Sequence, residues 1–268
     1  MRHELNRALL AVVLSLWLAT SAWAGFDEGV AAYDRGDYAA ALEEWLPLAK
    51  GGDANAQFNV GLMYNNGWGV PQDHAEAVKW YRLAAEQGDA DAQFNLGNKY
   101  RLGEGIPQDY AEAVKWYRLA AEQGDADAQS SLGSMYGNGW GVPQDYAEEM
   151  KWYRLAADQG VAEAQSNLGL MYAEGTGVPQ DYTEAVRWYR LAAEQGNSNA
   201  QNDLGAAYVE GQGVPQDYIQ AHMWFNLAAA QGGELERENR DLTAEQMTPA
   251  DISEAQRLAR EWLEAHGE

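Results

Sequence analysis

The sequence predicts an all-α fold, an α/α solenoid of tandem antiparallel helix pairs. A block of 36 residues recurs five times between Asp53 and Gly232 without insertion or deletion. Each block holds two segments with helical spacing of apolar residues, and a loop rich in glycine and proline separates them. Because one block cannot bury its apolar face alone, successive blocks are expected to stack on a continuous core.

Residues 1–24 have the features of a secretory signal peptide. Arg2 and Arg7 precede an apolar run, and Ala22 and Ala24 frame a small-residue cleavage site. The run is shorter than the roughly 20 apolar residues that span a bilayer. We therefore expect cleavage after Ala24 and export of a mature chain with no membrane span. The periplasm is the expected destination, with a secreted or cell-surface location as the alternative.

Residues 25–52 are expected to form a shorter, tetratricopeptide-like helix pair that caps the first repeat. Tyr33, Tyr38 and Trp45 provide its bulky apolar side chains, and Gly36 separates its two helical segments. Five repeats follow, at residues 53–88, 89–124, 125–160, 161–196 and 197–232.

The first helix of each repeat carries a glycine near its middle, as at Gly61. Glycine costs a helix about 1 kcal/mol relative to alanine, so its recurrence predicts a close approach by a bulky side chain of the second helix. The second helix is expected to begin at an aspartate followed three residues later by Glu or Gln, as in Asp73 and Glu76, which is capping-box spacing. Gly88 is expected to end it in a left-handed conformation, and Asp89 to cap the next helix.

The repeated block resembles the Sel1-like repeat, a relative of the tetratricopeptide repeat with a longer loop between its helices. The third copy matches best, at Ala128, Gln129, Gly133, Tyr136, Gly139, Gly141, Asp145, Trp152 and Tyr153. The resemblance covers all five copies and implies a right-handed α/α solenoid that acts as an adaptor for other proteins. Residues 233–268 are similar to the terminal helices of such proteins, and are expected to cap the last repeat.

The charge of the chain argues against nucleic acid as a partner. Lys and Arg number 18 against 41 Asp and Glu, a formal net charge of −23. Binding to a phosphate backbone depends on basic side chains, and a field of this sign repels it. A protein or peptide partner of basic or neutral character is more compatible with this field.

No residue pattern indicates catalysis, a cofactor or a metal site. The chain has no cysteine, and its four histidines share no ligand spacing. The Gly-x-Gly loops join two predicted helices, whereas a phosphate loop joins a strand to a helix. We therefore expect a protein that is not an enzyme and holds no cofactor.

The first helices offer the candidate partner-binding residues. A polar row recurs at one repeat position and suits hydrogen bonding to an extended peptide backbone on the concave side; Phe58 and Phe94 precede its first two members. The row consists of Asn59, Asn95, Ser131, Asn167 and Asp203. The alternative interpretation is a solvated ladder, or hydrogen bonds between helices.

Two other functions remain open from the sequence. Trp68 and Trp140 occupy a loop position that the repeat does not require to be aromatic, so they could stack on a sugar of peptidoglycan or anchor a protein. Partial burial against the next repeat is the simpler alternative. Hydrolysis of β-lactams, described for cysteine-rich members of the family, is less favoured because the cysteine pairs are missing here.

Overall fold

The computed structural model describes residues 25–266, whose regular secondary structure is entirely helical, so the predicted all-α class is confirmed. Helix α1 occupies residues 25–34, and the others are α2 Tyr38–Lys50, α3 Ala54–Asn66, α4 His74–Glu86, α5 Ala90–Leu102, α6 Tyr110–Glu122, α7 Ala126–Asn138, α8 Tyr146–Asp158, α9 Ala162–Glu174, α10 Tyr182–Glu194, α11 Ser198–Glu210, α12 Tyr218–Ala230, α13 Glu234–Ala244 and α14 Pro249–His266. The signal peptide expected at residues 1–24 lies outside the described residues.

The chain forms two compact units that meet between Ala128 and Gln129, within α7. In the first unit, α3 packs on α4 and α5 on α6. In the second unit, α9 packs on α10 and α11 on α12. The predicted tandem of helix pairs is therefore present in each unit.

The two helices of a repeat run antiparallel. Gln57, near the start of α3, accepts a hydrogen bond of 2.7 Å from Gln87, which directly follows α4. At the other end, the backbone N–H of Asp73, just before α4, donates to the carbonyl oxygen of Tyr64 at 2.9 Å. The end of α3 therefore lies beside the start of α4.

The predicted aspartate caps are present, but the capping box is not complete. The carboxylate of Asp73 accepts a hydrogen bond from the Glu76 backbone N–H at 3.0 Å. The return bond is not made, because the Asp73 N–H donates to Tyr64 and the Glu76 carboxylate pairs with Lys79 at 2.6 Å. The Asp73 N–H, which a complete capping box would bond to the Glu76 side chain, instead ties the start of α4 to α3.

The glycines near the middle of the first helices allow close packing, as predicted. A β-carbon placed on Gly61 would lie 2.7 Å from the ring of Tyr81, which is completely buried. The later repeats pair Gly97 with Tyr117, Gly133 with Tyr153, Gly169 with Tyr189 and Gly205 with Phe225. Each aromatic ring therefore fills the space that the missing side chain leaves.

The loop inside a repeat packs on the helix pair that precedes it. In the first unit, a β-carbon on Gly69 would lie 2.7 Å from the Tyr38 carbonyl. In the second unit, a β-carbon on Gly177 would lie 2.8 Å from the carbonyl oxygen of Tyr146. Both glycines also have positive φ, so only glycine meets both demands without strain.

A ladder of buried glutamines also joins neighbouring helix pairs. Gln93 is 4% exposed; it donates to the Ala85 carbonyl of the preceding repeat at 3.1 Å and accepts from Gln123 of its own repeat at 2.8 Å. Equivalent pairs of bonds are made by Gln57, Gln165 and Gln201. Because an unpartnered buried polar group is costly, these bonds fix how one pair sits on the next.

The last repeat is covered by α13 and α14. Trp262 of α14 meets Trp224 of α12 with 6.2 Å between ring centroids, and Leu227 is 3% exposed. At the equivalent position of α10, Leu191 is 38% exposed. In residues 25–266, no helix combines the length and the apolar character needed to cross a membrane.

Candidate functional site

The polar row lies at the margin of the core on the first helices. We call it the first-helix row; Asn59 and Asn95 belong to the first unit, and Ser131, Asn167 and Asp203 to the second. All five side chains are half-buried. Each lies two residues before the glycine that receives the aromatic ring, so its position is set by that packing.

In the first unit, the row opens into a groove at its N-terminal end. A cavity of about 290 Å³ is lined by Val30, Tyr33 and Asp34 of α1, Trp45 of α2, and Asn59 and Leu62 of α3. The lining is mostly apolar, and Asn59 contributes an amide that can both donate and accept hydrogen bonds. We call this cavity the Asn59 groove.

The other row member of the first unit is engaged by its own helix. The side-chain amide of Asn95 donates to the carbonyl oxygen of Asp91 at 2.8 Å. This hydrogen bond lies within α5. The alternative interpretation of the row expected hydrogen bonds between helices, so it does not describe this bond. An asparagine that uses one donor in this way retains a second donor and its acceptor oxygen for a ligand.

Phe58 and Phe94 pack inside their own repeats. Phe58 lies against Tyr81 with ring centroids 6.0 Å apart, and Phe94 against Tyr117 at 5.9 Å. Both phenylalanines are half-buried, so each supports the core and presents part of its ring at the surface. Their assignment to partner binding stays a prediction.

In the second unit, the row ends at a smaller groove with a different polar group. A cavity of about 130 Å³ lies between α10 and α11 and is lined by Tyr182, Val186, Tyr189, Asp203 and Glu210, among others. Asp203 occupies the repeat position of Asn59. We call this cavity the Asp203 groove. Its row residue carries a carboxyl group, whereas the row residue of the Asn59 groove carries a neutral amide.

Burial dominates the electrostatics of the Asp203 groove. It raises the pKa of the Asp203 carboxyl, and the nearby negative charge of Glu174 raises that pKa further. A hydrogen bond of 3.4 Å from Asn202 acts in the opposite direction. Burial also raises the pKa of Tyr189, with Asp203 and Glu174 adding to the effect. The groove therefore favours a positive charge that would offset these carboxylates.

A second cavity adjoins the Asp203 groove. Its volume is about 260 Å³, and Val209, Phe225 and Leu242 line it together with Ala206 and Glu210. Ala206 and Glu210 also line the Asp203 groove, so the two cavities are neighbours along α11. We call this second cavity the Leu242 cavity.

The two loop tryptophans have different surroundings. Trp68 is half-buried in the first unit, where it stacks on Tyr38 at 5.3 Å and meets the edge of Tyr33 at 5.7 Å. Trp140, in the second unit, is 40% exposed. Stacking on Tyr38 occupies one face of Trp68, so Trp68 is partly buried against the preceding helix pair and not against the next repeat as the packing alternative expected. Glycan stacking at either residue stays a prediction.

A charged cluster in the first unit was not anticipated from the sequence. Lys99 is 6% exposed, and its Nζ lies 2.6 Å from Glu104 and 3.2 Å from Nδ1 of His74. At the Lys99 position, the first, third and fourth repeats have methionine and the fifth has alanine. At positions 74, 99 and 104 the chain carries a histidine, a lysine and a glutamate that the other repeats lack at the equivalent positions. Comparison of the copies could therefore have revealed the cluster. The cluster is an ion pair at the edge of the core.

A second unanticipated group is the carboxyl of Glu149 in the second unit. The other repeats have alanine at this position, and Gly137 of α7 lies directly beside the Glu149 carboxylate, where a β-carbon would overlap it. Burial raises the pKa of Glu149 to about 7. A small residue on the first helix thus accommodates a large one on the second.

We expect Glu149 to make stability depend on pH. The unfolded chain ionises this carboxyl near its usual pKa, whereas the folded chain keeps it protonated up to about pH 7. The fold therefore loses stability as pH rises between these values, by less than about 2 kcal/mol for a half-buried group. Thermal unfolding of the wild type and Glu149→Gln at pH 5 and pH 8 should show a larger advantage of the variant at pH 8. The expectation is contradicted if Glu149→Gln is stabilised over the wild type by the same amount at both pH values. It is also contradicted if the exposed control Glu194→Gln shows the same change.

The described surface contains little that could do chemistry. Among residues 25–266, no three His, Cys, Asp or Glu side chains are grouped so that they could hold a metal ion. His222 is buried in α12, and burial lowers its pKa. The arrangement is suited to contacts with another molecule through grooves and polar side chains.

Repeated helix pairs that expose a row of side chains beside grooves define this chain as a tandem helix-repeat protein. The family comparison is specific: Sel1 repeats match residues 54–89, 90–125, 126–161, 162–197 and 198–233. The chain belongs to the Sel1 repeat family. The matched segments begin one residue after the repeats inferred from the sequence.

Solved structures give the same family. A Sel1 repeat protein from Oxalobacter formigenes is 34% identical, with a TM-score of 0.76 over 89% of this chain and 97% of that one. A protective antigen of uropathogenic Escherichia coli with the same repeat fold is 29% identical, with a TM-score of 0.45 over 90% of this chain and 68% of that one. The search of curated proteins found no match.

Proposed function

We propose that this Sel1 repeat protein is a non-enzymatic adaptor that binds an extended segment of another protein along its first helices. The observation that carries the proposal is the placement of the first-helix row. Asn59 and Asp203, at the same repeat position, each line a groove between one helix pair and the next. Extended peptides need regularly spaced hydrogen-bonding groups and pockets for side chains, and this surface supplies both.

The row has the chemistry that main-chain recognition requires. Asparagine and serine both donate and accept hydrogen bonds, as does the peptide backbone. The side chains are half-buried, so rotation is restricted and less conformational entropy is lost on binding. The acidic balance of the chain favours a neutral or basic partner.

We place this role outside the cytoplasm, in the periplasm or at the cell surface. The basis is the pattern of Arg2, Arg7, the apolar run and the alanines at 22 and 24, which is typical of a secretory leader. Amino-terminal sequencing of the protein purified from cell envelopes should begin at Gly25. An intact leader on protein recovered from the cytoplasm contradicts this placement.

Crosslinking in the native envelope followed by mass spectrometry tests the adaptor role. The wild type is compared with a row variant carrying Asn59→Ala, Asn95→Ala and Asn167→Ala. The control carries Glu86→Ala, Glu122→Ala and Glu194→Ala, which change exposed residues at the ends of second helices. All three proteins should give the same circular dichroism spectrum.

The proposal expects a defined set of partners with the wild type and the control, and loss of that set with the row variant. If the row variant keeps every partner, binding lies on another surface and the proposal is wrong. If the wild type crosslinks to no protein, the adaptor role itself is wrong, and peptidoglycan fragments become the next ligand to test through Trp68 and Trp140 fluorescence.

A further inference from the structure

We infer that the second unit selects a partner segment in which a lysine or arginine stands next to an apolar residue. The basic side chain would enter the Asp203 groove, and the apolar side chain would enter the Leu242 cavity. This inference rests on the proposed function, since it specifies the segment that the first helices bind. It is carried by the shape and the charge of the two neighbouring cavities.

The first step is the departure of Asp203 from its row. Three row members are asparagine and one is serine, whereas Asp203 places a carboxyl group at the wall of a cavity. Among the described residues, none of the ion pairs includes Asp203, Glu174 or Glu210. A half-buried carboxylate without a cation is costly, and a bound basic side chain would supply the missing charge.

The second step is the charge of the surrounding surface. Helices α9 and α11 carry Glu163, Glu174, Asp203 and Glu210, but no lysine or arginine. Basic residues of the second unit's repeats lie on the second helices, where Arg154 donates to Tyr172 and Arg190 to Tyr208. These two arginines reach Tyr172 of α9 and Tyr208 of α11, but these two first helices carry only acidic charged residues of their own, which attract a basic segment.

The third step is the size and lining of the cavities. The Asp203 groove has rings of Tyr182 and Tyr189 in its walls, and aromatic rings suit the aliphatic stem and the cation of lysine or arginine. The Leu242 cavity is about twice as large and mainly apolar, and Leu242 itself is 53% exposed. Shared walls at Ala206 and Glu210 place the two cavities within reach of neighbouring residues of one peptide.

The Asn59 groove provides an internal comparison. It uses the same repeat position, but its row residue is a neutral amide and Leu62 stands where the Asp203 groove has Ala206. The Asn59 groove does have a carboxyl in its lining, that of Asp34, but Asp34 lies on α1 and is exposed, whereas Asp203 is half-buried. Only Asp203 places a half-buried carboxyl in the row, so the preference for basic segments is expected to depend on it.

The test measures binding of labelled synthetic peptides to the purified mature protein by fluorescence anisotropy. The probes are short glycine- and serine-flanked peptides with Lys-Leu or Leu-Lys at the centre, and matched peptides with Gln or Glu in place of Lys. The proteins are the wild type, Asp203→Asn, Leu242→Ser, and the controls Glu122→Gln and Glu194→Gln. Asp203→Asn installs the residue found in three other copies, so it is expected to fold.

The wild type should bind a Lys peptide at least about tenfold more tightly than its Gln match, as expected for a hydrogen bond to a charged group. Asp203→Asn should abolish that preference, and Leu242→Ser should weaken binding of Lys and Gln peptides alike. Both controls, Glu122→Gln and Glu194→Gln, change exposed residues outside the row and should behave as the wild type. Added salt should reduce the preference.

Equal binding of Lys and Gln peptides, or a preference that survives Asp203→Asn, overturns the inference. If peptides bind without regard to charge and crosslinked partners are lost in the row variant, the adaptor proposal stands and only the basic specificity fails. If no peptide binds, the inference fails, and the adaptor proposal is decided by the envelope crosslinking.

Discussion

Replacing Gly133 with alanine is expected to lower the free energy of unfolding by about 1–3 kcal/mol, in spite of the higher helix propensity of alanine. The new β-carbon would lie 2.8 Å from the ring of Tyr153, which is 5% exposed and packed in the core of the second unit. Neither group can move without displacing α7 from α8. Urea unfolding followed by circular dichroism measures the effect.

Gly137 on the same helix provides the matched control. Its β-carbon would meet the carboxylate of Glu149, which is the end of a flexible side chain and can rotate away. Gly137→Ala should therefore change stability much less than Gly133→Ala, although both substitutions add one methyl group to α7. Equal losses in the two variants would show that close packing against Tyr153 is not what requires glycine at 133.

Replacing Gln165 with leucine is expected to cost about 1–3 kcal/mol, because it removes two hydrogen bonds of about 0.5–1.5 kcal/mol each. Gln165 is 4% exposed; it donates to the Ala157 carbonyl at 3.1 Å and accepts from Gln195 at 2.8 Å. Leucine of similar size fills the space but leaves the buried Ala157 carbonyl without this donor. The loss is measured by urea unfolding, as for Gly133.

Gln195→Leu is the control for the glutamine ladder. Gln195 is exposed, so its removal breaks one bond of the same ladder where water can replace it. We expect a smaller loss than for Gln165→Leu. If both variants lose the same stability, or Gln165→Leu is neutral, the ladder does not hold successive helix pairs together in the way described.

The repeat pattern made most of the fold predictable. Because the five copies share one register, each local pattern occurs five times. The aspartate at the start of α4 and the glycine near the middle of α3, for example, have an equivalent in every other repeat. Packing of Tyr81 on Gly61 followed from the cost of a helical glycine. The incomplete capping box could not be predicted in this way. Spacing shows which residues can meet, but it does not show which acceptor the Asp73 N–H bonds to.

The candidate site was less predictable than the fold. The positions of the first-helix row came from comparing copies, and the structure adds that Asn59 and Asp203 line grooves. The role of the buried glutamines was missed, since an invariant polar residue between apolar ones gives no indication of its partners. Glu149 and Lys99 were missed for the opposite reason: each occurs in one copy, and its meaning depends on a neighbour distant in sequence.

The most direct test of the adaptor proposal is hydrogen exchange of the mature protein with and without a partner identified by crosslinking. Binding along the first-helix row predicts slower amide exchange in α3, α5, α7, α9 and α11 when the partner is present. Exchange in α4, α6 and α8 should change little. Protection confined to the second helices, or to the loops that contain Trp68 and Trp140, would contradict the account and place the partner on a different surface.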